Sequence, residues 1–138
     1  MPVPSLAAIA VLKIVAYLDR PHERERDLAD LAHILDAYVS GDDERLFGDE
    51  VPADLELLYR PAFLLGADLA SLVNAQEHAV VTRFVSLGRG AGADTTRSRL
   101  LRLGPTRWRL AGRAEEAEEE LDAMLTALEA GLVATTTS

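Results

Sequence analysis

From Ala114 to Leu132, apolar residues return every three or four positions: Ala114, Ala117, Leu121, Met124, Leu125, Leu128 and Leu132. Such a period lays a single stripe along one side of a helix, and acids near the start of this segment complement the positive end of the helix dipole. Helical spacing recurs through most of the chain, and no run alternates apolar and polar residues in the manner of a half-buried strand. The predicted fold class is therefore all-α, a bundle of about five to seven helices. It forms one domain over residues 1–134, with a disordered tail from Thr135 to Ser138.

The other elements follow from local signals. Ser5 to Leu18 reads as a central helix, because Leu6, Ile9, Ala10, Leu12, Ile14, Val15 and Leu18 leave almost no polar face. Pro21 suits the first turn of a second helix, with Glu23 and Glu25 near its N-terminus and Leu28, Leu31, Leu35, Tyr38 and Val39 as its stripe. Gly41 ends it. An acidic link to Pro52 should tuck Leu46 and Phe47 inward, and a third helix is expected over about Ala53 to Leu65. Pro61 should start a new helix or bend that one. Asp68, after Gly66, reads as the N-cap of a short helix ending near Asn74. Val80, Val81, Phe84 and Val85 mark the next helix, Gly88, Gly90 and Gly92 a break, and Arg97 to Leu103 a short basic helix stopped by Gly104-Pro105.

At 138 residues with 49% hydrophobic and 27% charged content, the chain can bury roughly two-thirds of its unfolded surface. Without cysteine it has no disulfides and no thiolate metal site, so a reducing cytoplasm is the expected compartment. The apolar stretch near the start is shorter than the roughly 20 residues a bilayer needs and is broken by a charge, which argues against a membrane span or signal peptide. A net charge of −9 disfavours general nucleic-acid binding, yet the charge is uneven. Arginines 83, 89, 97, 99, 102, 107, 109 and 113 share their stretch with one acid, Asp94, and the acidic run Glu115 to Asp122 follows. The two are expected to pair within the fold or across a homodimer. Otherwise Arg97, Arg99, Arg102, Arg107 and Arg109, around Trp108, would form an anion or nucleic-acid surface.

Lys13 is the only lysine in the chain, and it interrupts the most apolar helix. A buried ammonium is costly unless paired. Asp27 and Asp30, three apart on the next helix, share one face and repel each other unless a cation lies between them. A hairpin through Asp19-Arg20-Pro21 would bring Lys13 to them. Two readings stand side by side: an ion pair that fixes the register of two helices, or an anion site with Lys13 on phosphate.

The stretch VPSLAAIAVLKIVAYLDRPHERERDLADLAHIL resembles the segment that follows the catalytic sheet in AbiEii/AbiGii-type nucleotidyltransferase-like proteins, a family that includes abortive-infection toxins. The matching positions are Lys13, Arg20 and Arg26-Asp27-Leu28-Ala29-Asp30. The resemblance implies that Lys13 and Asp27, with Arg26 and Asp30, help to form a nucleotide site. It also implies a catalytic α/β domain with a Gly-Ser motif and an Asp-x-Asp pair holding Mg²⁺ and a nucleoside triphosphate. Neither motif occurs in this sequence, and the domain would precede Met1. The chain is thus expected to hold no catalytic residue and no cofactor of its own. It would support a site completed by another domain or chain, with an antitoxin as a further partner; alternatively, it is a non-catalytic interaction or dimerisation module.

Other motifs carry less. His22, His33 and His78 lack metal-ligand spacing, no Gly-x-Ser-x-Gly elbow is present, and Gly88-Arg89-Gly90 is a loop without the strand that a dinucleotide fingerprint requires. No metal site is expected.

Overall fold

The computed structural model describes residues 5–21, 23–38, 43–90, 95–109, 112 and 114–136. Six α-helices follow one another: α1 (Leu6–Asp19), α2 (Glu25–Ala37), α3 (Arg60–Leu72), α4 (Ala75–Gly88), α5 (Thr96–Leu103) and α6 (Ala114–Thr136). Single 3₁₀ turns at Glu44–Phe47, Leu57–Tyr59 and Thr106–Arg109 complete the described elements, and no strand occurs among them. The protein is an all-α bundle, as its periodicity requires.

Ser5 caps α1 by accepting the amide of Ala8 at 3.1 Å. Ala7, Ala10, Val11, Ile14 and Tyr17 turn one side of α1 into the core, against α2, α3 and α4. The helix is central on that side only. Leu12 is 67% exposed and Val15 43%, so an apolar strip of α1 faces outward. Pro21 and Glu23 lie in the connecting turn, and α2 begins at Glu25 with Arg24 as its N-cap. Leu28, Leu31 and Leu35 are buried as expected, and Tyr38 is half-buried. Val39, Gly41, Gly92, Asp94, His22 and Arg113 lie outside the described residues.

The middle of the chain departs most from its sequence reading. Residues 53–56 are not helical; α3 starts at Arg60, with Pro61 in its first turn where a missing amide donor costs nothing. It then runs unbroken through Gly66 to Leu72, so Asp68 is an interior residue and no cap. That helix ends at Leu72, close to Asn74 as expected, and Asn74 has its own role. It opens α4 in a capping box, accepting the Glu77 amide at 2.8 Å while Glu77 accepts the Asn74 amide at 3.1 Å. Leu46 is buried, but Phe47 points outward at 65% exposure. Gly88 is the buried end of α4 and not a break. The stripe of α6 is buried from Ala117 to Leu132, Ala114 is exposed, and the helix continues to Thr136, past the start of the expected tail.

Gly66 has a packing role. A Cβ built on it would lie 2.1 Å from the Leu128 carbonyl oxygen, and one on Gly131 would lie 2.1 Å from the Phe63 carbonyl oxygen. The backbones of α3 and α6 therefore touch. Tyr59, just before α3, lies near Glu119 and Glu120, whereas Phe63 and Ala67 lie against Gly131, so the two helices run in the same direction. This pair forms the backbone of the core; α1 and α2 pack on one side of it, and α4 and α5 fill the remainder.

Candidate anion site on the first helix hairpin

The turn between α1 and α2 is short and closed by a Glu23 amide to Arg20 carbonyl bond of 3.0 Å, which fixes how the helices return past each other. That register places Lys13 opposite the first turns of α2. Its Nζ donates to Asp30 Oδ2 at 2.7 Å and to Asp27 Oδ1 at 3.3 Å. The residues singled out from spacing are thus brought together. Arg24 approaches the other Asp27 oxygen at 3.9 Å. The Lys13 and Asp27 side chains are 25% and 18% exposed and Asp30 is 47% exposed, so the site sits at the rim of the core.

Two carboxylates hold the ammonium charged: the Asp30 hydrogen bond raises the Lys13 pKa most, partial burial lowers it, and the Asp27 bond and both negative charges raise it further. An ammonium has three N–H donors. Two are used here, and no described residue accepts the third. Arg26 stands on the exposed side of α2, four residues before Asp30, and makes no ion pair with a described residue. Ile9 and Ala16, half-buried, separate Lys13 from the outward strip of Leu12 and Val15 on α1.

Four arginines of the second candidate surface, Arg97, Arg99, Arg102 and Arg107, are engaged within the fold. Arg99 is 6% exposed and donates to the Tyr17 hydroxyl at 3.1 Å, which is 2.9 Å from Thr96 Oγ1. It pins α5 to α1 and presents nothing to solvent. Arg97 pairs with Asp122 at 2.5 Å and Glu118 at 3.6 Å, Arg102 pairs with Glu25, and Arg107 holds Asp36 and Glu120 at 2.9 Å each. The expected pairing between basic stretch and acidic run is met within one chain. The Arg109 side chain lies outside the described residues.

One cluster carries no sequence signal. Tyr38 donates its hydroxyl to Asp68 Oδ2, Arg45 forks onto both Asp68 oxygens at 2.9 and 2.7 Å, and Arg45 also reaches Glu50 at 3.2 Å. It ties the end of α2 and the first 3₁₀ turn to the middle of α3. Burial and the Asp68 carboxylate raise the Tyr38 pKa far above its ordinary value. Among the described residues no group of three His, Asp or Glu side chains converges as a metal ligand set, and no helix is long and apolar enough to cross a membrane. No protein family matches the chain, and neither does any curated protein or solved structure.

Proposed function

We propose that this chain is the helical portion of a nucleotidyltransferase-like protein of the AbiEii/AbiGii type and supports a nucleotide site that another domain or chain completes. The observation that carries the reading is Lys13, held charged between Asp27 and Asp30 with one donor unspent, beside the outward apolar strip of α1. In this reading the completing domain seats on Leu12 and Val15 and covers the ammonium. A phosphate oxygen takes the third donor, or displaces Asp30, the more exposed of the two carboxylates. Arg26 adds a second, unengaged positive charge. Asp27 and Asp30 together outweigh Lys13, so phosphate binds the isolated chain only weakly and a titration has to reach millimolar nucleotide. Mg²⁺ and nucleoside triphosphate belong to the completed assembly, whose Mg²⁺ would neutralise charge on the transferring phosphates.

The test is a nucleotide titration followed by NMR of the lysine side chain. Millimolar ATP or GTP with Mg²⁺ should shift the Lys13 signal, and Lys13→Met should remove it, while labelled nucleotide is transferred to no tRNA or protein acceptor. A Lys13 signal unmoved at saturating nucleotide would end the reading, and metal-dependent transfer lost in Asp27→Ala would show a catalytic centre within this chain.

A second reading is favoured by the engagement of Lys13 with both carboxylates. The hairpin then carries only a structural ion pair, and α1 is the contact face of an interaction or homodimerisation module. Sedimentation separates the two: a dimer that Leu12→Asp converts to monomer supports the module, and a monomer at all concentrations removes the homodimer.

A further inference from the structure

Away from Lys13, a groove of about 490 Å³ runs between the loop before α3 and the paired helices α3 and α6. Phe63, Ala123, Ala127 and Ala130 give it an apolar floor, and Asp54 and Glu56 stand on its rim. Tyr59 lines it too, and also lines a second hollow of about 490 Å³ with Leu58, Glu116 and Glu119, so the two adjoin at that residue. Beside them Leu57 and Leu58 are 52% and 44% exposed.

The charges here differ from those elsewhere on the surface. Asp54, Glu56 and Glu119 make no ion pair with any described residue, whereas Asp122 on the same groove is held by Arg97. Among the described residues no basic side chain lines the first groove, and Arg107 in the second is engaged by Asp36 and Glu120. The Tyr59 pKa is raised by burial and then by the neighbouring Glu120 and Glu56.

We propose that this double groove binds a cationic amphipathic segment of a partner protein, with apolar side chains on the alanine floor and Lys or Arg side chains on Asp54, Glu56 and Glu119. Its apolar floor fits a peptide better than a small polycation, which has no use for the floor. A second copy of this chain is the weaker fit, because its Arg89, Arg97, Arg102 and Arg107 are already held by Glu129, Asp122, Glu25 and Asp36.

The probes are a fluorescein-labelled leucine–lysine peptide patterned as an amphipathic helix, its leucine–glutamate counterpart, and spermine as competitor, read by anisotropy against the full chain. The lysine peptide should bind and the glutamate peptide should not. Asp54→Asn with Glu56→Gln should weaken binding roughly tenfold, while Glu44→Gln with Asp49→Asn, an equal charge change outside the groove, should leave it within about twofold. Thr126→Trp, at an exposed position on the groove wall, should also abolish binding by filling it. Equal losses from both charge pairs, displacement by spermine at the peptide's own concentration, or no binding of the lysine peptide would overturn the proposal.

Discussion

An ammonium on an apolar helix has to find acceptors or reach water, and Lys13 does both. Its exposure of 25% and that of Asp27 at 18% lie between a wet pair and a sealed one. A double-mutant cycle on Lys13 and Asp27 should return a coupling of about 1–2 kcal/mol, above surface pairs and below the 3–5 kcal/mol of fully buried ones. Because its folded pKa is raised, this contribution is complete below the ordinary lysine value and is lost as pH climbs through the folded one. Asp68 behaves oppositely. Burial raises its pKa, but the Arg45 and Tyr38 hydrogen bonds and the Arg45 charge outweigh that and leave it lowered. Its stabilisation is therefore present above the ordinary aspartate value and disappears as pH falls through the folded one. In urea titrations, Asp68→Asn should cost about 1–3 kcal/mol at neutral pH, with the difference from the parent shrinking below about pH 4. The Lys13 pair was legible because a tight hairpin restricts which residues face each other. The Arg99 contact was not: Tyr17 lies 82 positions away, and nothing local on a helix of eight residues marks a buried guanidinium.

At the scale of elements, apolar period located the helices and failed at their joints. Helices α1, α5 and α6 stand close to their predicted ranges, since a stripe and a stop signal coincide there. The third helix was misplaced because acids and leucines over residues 53–59 imitate a helical period, while Pro61 marks the true start. Glycine weakens a helix by about 1 kcal/mol relative to alanine, yet α3 runs on through Gly66. Here tertiary contact overrides propensity. The signal that would have revealed it is small residues at four-residue spacing, Ala62, Gly66 and Ala70 on α3 with Ala123, Ala127 and Gly131 on α6. Gly66→Ala and Gly131→Ala should each destabilise by about 1–3 kcal/mol or more in chemical denaturation, reversing the sign expected from helix propensity, because the new methyl meets backbone. An unchanged or raised midpoint would show that α3 and α6 can part at no cost. Asn74→Ala should lower stability by about 1 kcal/mol through loss of the capping box.

Across the whole molecule, charge is arranged for internal pairing. The basic stretch that suggests nucleic-acid contact is met by acids on α2 and α6. Electrophoretic titration with RNA or duplex DNA at physiological salt should give no retained complex; tight binding that Arg97→Ala with Arg102→Ala abolishes would show those pairs opening for phosphate. The parallel contact of α3 with α6 also has a bearing on biosynthesis. Alpha-helix α3 leaves the ribosome well before α6, the last described element, yet its small-residue seam is closed by nothing else. During that interval the nascent chain carries an open apolar slot that only its own C-terminal helix fits. Ribosome-bound chains halted before Ala114 should therefore stay protease-sensitive and hold chaperones, and protection should arrive in one step once α6 has emerged.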